Sequence, residues 1–211
     1  MHWQAIFFDF DGVIADSVEV KVKAFARLFS SYGPAVQEAV VAYHLANGGM
    51  PRRQKLCYCL EHIAGQSCDE EKLEELNKAF SDLVVDGVVS SPLLDGVLPT
   101  LQLLQKKSIP AYIVSGTPQN EMQYVVEQKK ISFYFTEVHG SPRQKPAILK
   151  DILIRHSYNP GRCLFVGDAL ADYRAARETE MAFLGIVAKE RPSIFPEDVQ
   201  ISSTVCLPFS G

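Results

Sequence analysis

Short apolar runs alternate with helical stretches along most of this chain, and no other feature limits its fold as tightly. The runs are Ala5–Phe8, Ala111–Val114, Phe133–Phe135, Cys163–Val166 and Ala182–Val187. Helical spacing fills the gaps between the later ones. Val97, Leu101 and Leu104 fall at i, i+4 and i+7, Met122, Val125 and Val126 share one helical face, and Asp172 to Glu178 reads as a polar helix rich in Ala and Arg. Strands that are apolar throughout, separated by helices, predict an α/β fold: a parallel sheet covered by helices on both faces.

One segment departs from this alternation. Residues 16–88 read as helix throughout, which predicts a core of residues 1–15 and 89–211 carrying a helical insertion. Val18, Val22, Phe25, Phe29 and Tyr32 form an amphipathic stripe that Gly33-Pro34 ends. Leu73, Leu76, Phe80 and Leu83 form another, with Ser67 and Glu70 predicted as its capping box. Gly48-Gly49-Met50-Pro51 predicts a turn between two further helices. The acidic cluster from Asp69 to Glu75 reads as a solvated helix face.

Charge and cysteine content narrow the function classes. The 211 residues carry 25 acids against 21 bases, a net charge of −4, which argues against a dedicated nucleic-acid binder. No apolar run approaches the ~18 residues of a membrane span, and Asp9 and Asp11 cut short the only apolar stretch near the start, so neither a span nor a signal peptide is expected. The five cysteines, Cys57, Cys59, Cys68, Cys163 and Cys206, contain no CxxC pair. They are expected to be reduced structural residues of a cytoplasmic protein. No feature of the sequence sets an oligomeric state.

The chemistry concentrates at strand ends. Asp9-Phe10-Asp11-Gly12 directly follows the first run, and two carboxylates at i and i+2 there can point into one crevice. Adjacent acids repel, so a cation or a shared proton must relieve them. Gly167-Asp168-Ala169-Leu170-Ala171-Asp172 follows Cys163–Val166, with its two acids on one face of a starting helix. Capping by Asp168 would explain one of these acids but not the second. Four carboxylates at two strand ends look like a site for Mg²⁺, a hard ion that takes a few carboxylates, waters and a substrate phosphate. Val114-Ser115-Gly116-Thr117-Pro118 joins a strand to a helix start, where hydroxyls and free amides can hold an anion, and Pro118 suits the first helical turn. Lys145 is weak on its own, but a phosphate among four carboxylates needs a positive partner.

In this order the motifs resemble those of the haloacid dehalogenase superfamily of phosphohydrolases, and the likeness spans nearly the whole chain. The helical insertion after the first motif resembles the small cap of its phosphoglycolate phosphatase and β-phosphoglucomutase branch. The resemblance implies a Rossmann-like core and a soluble enzyme acting on a small phosphorylated metabolite. Asp9 would be the nucleophile that forms an aspartyl-phosphate, and Asp11 the acid and base. Ser115, Gly116 and Lys145 would hold the phosphoryl group. Asp9, the backbone carbonyl of Asp11, Asp168 and Asp172 would bind Mg²⁺, the last directly or through water. Arg52, in the cap loop, would contact the distal part of the substrate, and Lys55 is a second cap candidate.

The resemblance also weighs the alternatives. Lys21 stands where the mutase has a histidine, which counts against a mutase. Asp11 counts against a dehalogenase. A phosphonatase would need a cap lysine, which Lys21, Lys23 or Lys55 could supply. A non-catalytic phosphate-binding protein is disfavoured because all the catalytic positions are filled. A response-regulator receiver would carry its acceptor acid on a later strand and would lack the helical insertion.

Overall fold

The computed structural model describes residues 3–189 and 191–207. Strand β1 (Ala5–Phe8) is followed by helices α1 (Val18–Leu28), α2 (Pro34–Ala46), α3 (Arg52–Tyr58) and α4 (Glu70–Ser90). Alternation then sets in: α5 (Val97–Lys106), β2 (Ala111–Pro118), α6 (Gln119–Gln128), β3 (Glu137–Ser141), α7 (Lys145–Arg155), β4 (Cys163–Gly167), α8 (Leu170–Glu178) and β5 (Ala182–Ile186), after which the short β6 (Ile201–Ser202) follows with no intervening helix among the described residues. The strands form one sheet in the order β3-β2-β1-β4-β5-β6, and every pairing is parallel.

Alternate residues of β1 serve opposite faces, as the pleat requires. Ile6 and Phe8 join the core that holds Val97 and Leu101 of α5 and Met122 and Val125 of α6. Ala5 and Phe7 join the core that holds Ile148 and Ile152 of α7 and Ala176 of α8. Both faces of the central strands are therefore covered, which is why those strands read as unbroken apolar runs. Strands are added outward on one side of β1 as far as β3 and then, from β4, on its other side, and in open α/β sheets such a switch point opens the ligand-binding crevice.

The helices between β1 and β2 pack on each other through Phe25, Phe29, Leu56, Leu60, Phe80 and Val84, all essentially inaccessible to solvent. Burying each such side chain contributes ~1.5–3 kcal/mol. Leu76, Phe80, Val84 and Val88 form the buried stripe of α4, each four residues on from the last.

Local expectations need correcting in several places. Phe133–Phe135 is not a strand: Ser132–Tyr134 forms a single 3₁₀ turn, and Phe133 lies exposed. The strand is β3, whose first residues are half-buried because it forms the sheet edge. An edge strand need not be apolar, so the run misled. Ser67 and Glu70 form no capping box. Asp69 caps α4 by accepting from the Lys72 amide at 2.8 Å, and a carboxylate there also suits the helix dipole. The α1 stripe divides, with Phe29 and Tyr32 lying beyond the helix end and Ser30–Tyr32 forming a 3₁₀ turn before Gly33. Pro118 ends β2 and precedes α6 rather than entering its first turn, so the strand carries Ser115 and Thr117. Among the described residues, no helix is long and apolar enough to cross a membrane. Residues 208–211 of the chain end lie outside the described residues.

Candidate active site

Asp9 follows β1 directly, with its amide donating to the Val166 carbonyl of β4 at 2.9 Å. Its carboxylate Oδ1 accepts from the Phe10 amide at 2.7 Å. The Lys145 ammonium lies 2.9 Å from Asp9 Oδ2 and 2.6 Å from Asp172 Oδ1, so one buried cation joins two buried acids. Burial works to lower the Lys145 pKa, but Asp172 and Asp9 outweigh it and raise it above the ordinary lysine value.

Ligating oxygens of Asp9, Asp168 and Asp172 lie within 4.8 Å of one another. Crowding acts strongly on Asp168 and Asp172. Burial, then the charges of Asp9 and Asp172, pushes the Asp168 carboxyl well above the usual range. Burial and Asp9 raise Asp172 to about 7, against the pull of Lys145. Asp168 does not cap α8. The N-cap is Ala169, whose amide donates to Asp172 Oδ2 at 3.1 Å, so the Asp168 side chain is spared for the crevice. Gly12 makes room for it: with φ near +77°, a Cβ there would meet Asp168 Oδ2 at 2.2 Å. Three converging carboxylate donors are a set that suits a hard divalent cation.

Asp11 stands apart from this trio. Ser17 Oγ donates to its Oδ1 at 2.6 Å, Thr117 Oγ1 donates to its Oδ2 at 3.3 Å, and Lys21 pairs with Oδ2. Lys21 also donates to Thr117 Oγ1 at 2.8 Å. Burial works to raise the Asp11 pKa, but Lys21 and the donated hydrogen bonds prevail and hold it below the ordinary carboxylate value. Lys21 in α1 is ten residues from Asp11 in sequence, and Thr117 lies on β2. Lys21 carried a sequence expectation only through the family pattern, and Thr117 was expected among the hydroxyls of an anion site rather than between Asp11 and Lys21.

Ser115 is buried at the end of β2, where its Oγ accepts from the Thr117 amide at 3.1 Å. A Cβ on the next residue, Gly116, would come within 2.9 Å of the Gly49 and Met50 carbonyls. The loop between α2 and α3 thus rests directly on the β2 end, and only glycine permits that approach.

Arg52 and Lys55 both come from this side. The Arg52 guanidinium stacks over Phe80, with Cζ 4.7 Å from the ring centre, and pairs in a fork with Glu121 of α6. Ser81 Oγ lies 2.6 Å from both Arg52 Nη1 and Glu121 Oε2. Glu121 went unnoticed in the sequence because nothing marks a lone acid in a helix's first turn. Lys55 Nζ lies 3.1 Å from His44 Nδ1. Burial, then the charge of Lys21, lowers Lys55 to about 7, and burial, then Lys55, lowers His44 to about 3. These groups face the carboxylates across a cavity of about 750 Å³ that Asp9, Asp168, Ser115 and Lys21 also line.

A family profile described as haloacid dehalogenase-like hydrolase matches residues 3–179. The chain is similar to the phosphoglycolate phosphatase of Pseudomonas putida, 26% identical over 212 residues that cover 92% of this chain and 76% of that one. It is equally similar to the phosphoglycolate phosphatase of Pseudomonas fluorescens, 26% identical over 219 residues covering 96% and 79%. Among solved structures, CbbY of Rhodobacter sphaeroides in complex with phosphate has the same fold, with a TM-score of 0.73 at 15% identity, covering 96% of this chain and 94% of that one. A CbbY mutant in complex with xylulose-(1,5)bisphosphate gives 0.74, with the same identity and coverage. The six-stranded parallel sheet, the order of its motifs and the matched profile agree: this chain belongs to the haloacid dehalogenase-like hydrolase family.

Proposed function

We propose that this protein is a Mg²⁺-dependent phosphatase that hydrolyses a small phosphorylated metabolite, of phosphosugar or phosphoglycolate type, through an aspartyl-phosphate on Asp9. The observation that carries the reading is the Asp9–Lys145–Asp172 chain of charges beside Asp168 and Ser115 at the switch point of the sheet. Asp9 attacks phosphorus in line while Lys145 and the Ser115–Gly116 backbone hold phosphoryl oxygens. Asp11 protonates the leaving oxygen and then takes a proton from the water that cleaves the intermediate. Held ionised by Lys21, Asp11 rests ready for the second step. The incoming phosphate adds negative charge beside it and so favours the protonated form that the first step uses. Mg²⁺, held by Asp9, the Asp11 carbonyl, Asp168 and Asp172, would supply the charge that lets an anionic nucleophile meet an anionic ester.

The helical segment 16–88 serves as the cap of this site. Arg52 is engaged by Glu121 and Ser81, so its part in specificity is to hold the closed arrangement. Lys55, with His44 beside it, is the cap cation left to meet a second anionic group on the substrate. The phosphoglycolate phosphatases among its relatives support a substrate of that charge pattern. Five free thiols fit a cytoplasmic location.

Turnover of p-nitrophenyl phosphate with Mg²⁺, its loss in EDTA and its absence in Asp9→Asn are the expected results. Metal-independent turnover, or activity retained in Asp9→Asn, would sink the proposal. The lowered pKa of Lys55 favours one second reading, a phosphonatase in which its neutral amine condenses with an aldehyde. Borohydride with a phosphonate aldehyde would then inactivate the protein but not Lys55→Arg. The phosphatase reading expects no such trapping.

A further inference from the structure

A second group of ligating side chains lies outside the cavity, in the helical segment. Cys57 is in α3, and Glu61 is in the π-type turn Cys59–Ile63 that continues it. Cys68 is in the link that precedes Asp69, the cap of α4. Four residues separate Cys57 from Glu61, which sets both on one side of the helix. The two sulfurs and a Glu61 carboxylate oxygen lie within 4.8 Å of one another. Cys57 and Cys68 are half-buried where Cys206 is exposed.

We propose that Cys57, Glu61 and Cys68 form a binding site for a thiophilic divalent cation of the zinc class, with a water in the fourth position. The donor set is the first argument. Thiolates select soft or borderline ions such as Zn²⁺, whereas the all-oxygen trio of Asp9, Asp168 and Asp172 suits a hard ion, so the two sites divide the metals by ligand softness. Spacing is the second. Zinc–sulfur bonds of ~2.3 Å at a tetrahedral angle put two sulfurs roughly 3.7 Å apart, which small side-chain rotations reach from the observed separations. Charge is the third. Glu61 is itself an anion beside the two sulfurs, and Asp69 follows Cys68 directly in the chain, so the group offers a cation a negative setting. A bound cation takes both sulfurs as thiolates and releases their protons to solvent. No CxxC spacing announces the site, because its third donor comes from a link that folds back eleven residues after the first.

The test uses the full chain, reduced with a phosphine and saturated with Mg²⁺ so that the catalytic trio is occupied. Cd²⁺ is titrated in while the thiolate-to-cadmium absorption in the ultraviolet is followed. A band that saturates at one equivalent, is displaced by Zn²⁺, falls in Glu61→Gln and vanishes in Cys57→Ser/Cys68→Ser is expected. Alkylation mapped by peptide mass spectrometry gives a readout in the unaltered protein: Cd²⁺ shields Cys57 and Cys68 while Cys206 keeps reacting. A band that persists in the double serine variant, or shielding that spares Cys57 and Cys68, overturns the proposal. Glu61→Gln keeps both thiols, so its result stands even if the double variant fails to fold.

Discussion

Lys145, which reaches Asp9 from α7 on the core side (the floor of the site), and Lys55, which lines the cavity from the helical insertion (its roof), are equally hidden, 5% and 4% exposed, yet their ammonium groups are shifted in opposite directions from the ordinary lysine value. Lys145 touches two carboxylates and keeps its proton more tightly than a free lysine, despite the cost of burial. Lys55 touches an imidazole, faces Lys21 and loses its proton near pH 7. Burial is the same in the two cases and the partners decide the outcome. The floor carries its counter-charges in the resting protein, which is what preorganised transition-state stabilisation requires. The roof lacks one, and a ligand anion is what would complete it.

Changes that break this contrast rank by what they leave uncompensated. Asp9→Asn removes the proposed nucleophile and is expected to cut turnover at least ~10⁴-fold with little change in fold, measured by steady-state assay against thermal melting. Lys145→Met leaves buried acids without their cation. In EDTA it is expected to cost ~3–5 kcal/mol, read from urea unfolding, with partial recovery on adding Mg²⁺.

Lys55→Met acts on the roof. It is expected to raise KM about 10–100-fold for an ester bearing a second anion, by the loss of ~1.4–2.8 kcal/mol of binding, while sparing p-nitrophenyl phosphate. Its stability signature has a definite sign. Unfolded, Lys55 holds its proton up to 10.5, and folded only up to about 7. Between those values the unfolded chain binds the extra proton, so Lys55 makes stability rise with pH from about 7 to about 10.5 and lowers it most below 7. The variant is expected to flatten that rise in denaturation curves taken across the window.

Glu137→Gln, far from both lysines on the edge strand, supplies the reference. Arg155 and two histidines hold Glu137 at about 2, so its contribution is full above 4.5 and fades as pH falls toward 2. At this half-exposed site the loss is expected to stay within ~1 kcal/mol, full above about 4.5 and shrinking as pH falls toward 2, with activity unchanged.

What the sequence disclosed follows the same physics. Strands β1 and β4 were legible because both of their faces are buried, which leaves a pure apolar run. The edge strand β3 was not, since half-exposed positions such as Glu137 and His139 need not be apolar. The acids after β1 and β4 stood out because paired carboxylates demand a reason. The groups that tune them did not. Ser17 and Thr117 are ordinary residues until folding brings them to Asp11, and Glu121 matters only because Arg52 crosses to it from another part of the chain. Local chemistry can be read along the chain, while partnership across elements requires the fold.

The fork between Arg52 and Glu121 has a consequence for timing. An ion pair sealed between two layers gains strong attraction but forfeits hydration, and these nearly cancel. When the layers part, water returns to both ions and offsets the contact that was lost. On this balance, parting the two layers would cost little, and departure of a product would not wait on the rupture of a deep contact. An apolar seam of equal area would gain nothing from solvent on parting and would hold the product longer. The same fork that fixes how the layers meet is thus expected to let them separate readily, and higher ionic strength is expected to ease that separation by stabilising the freed charges.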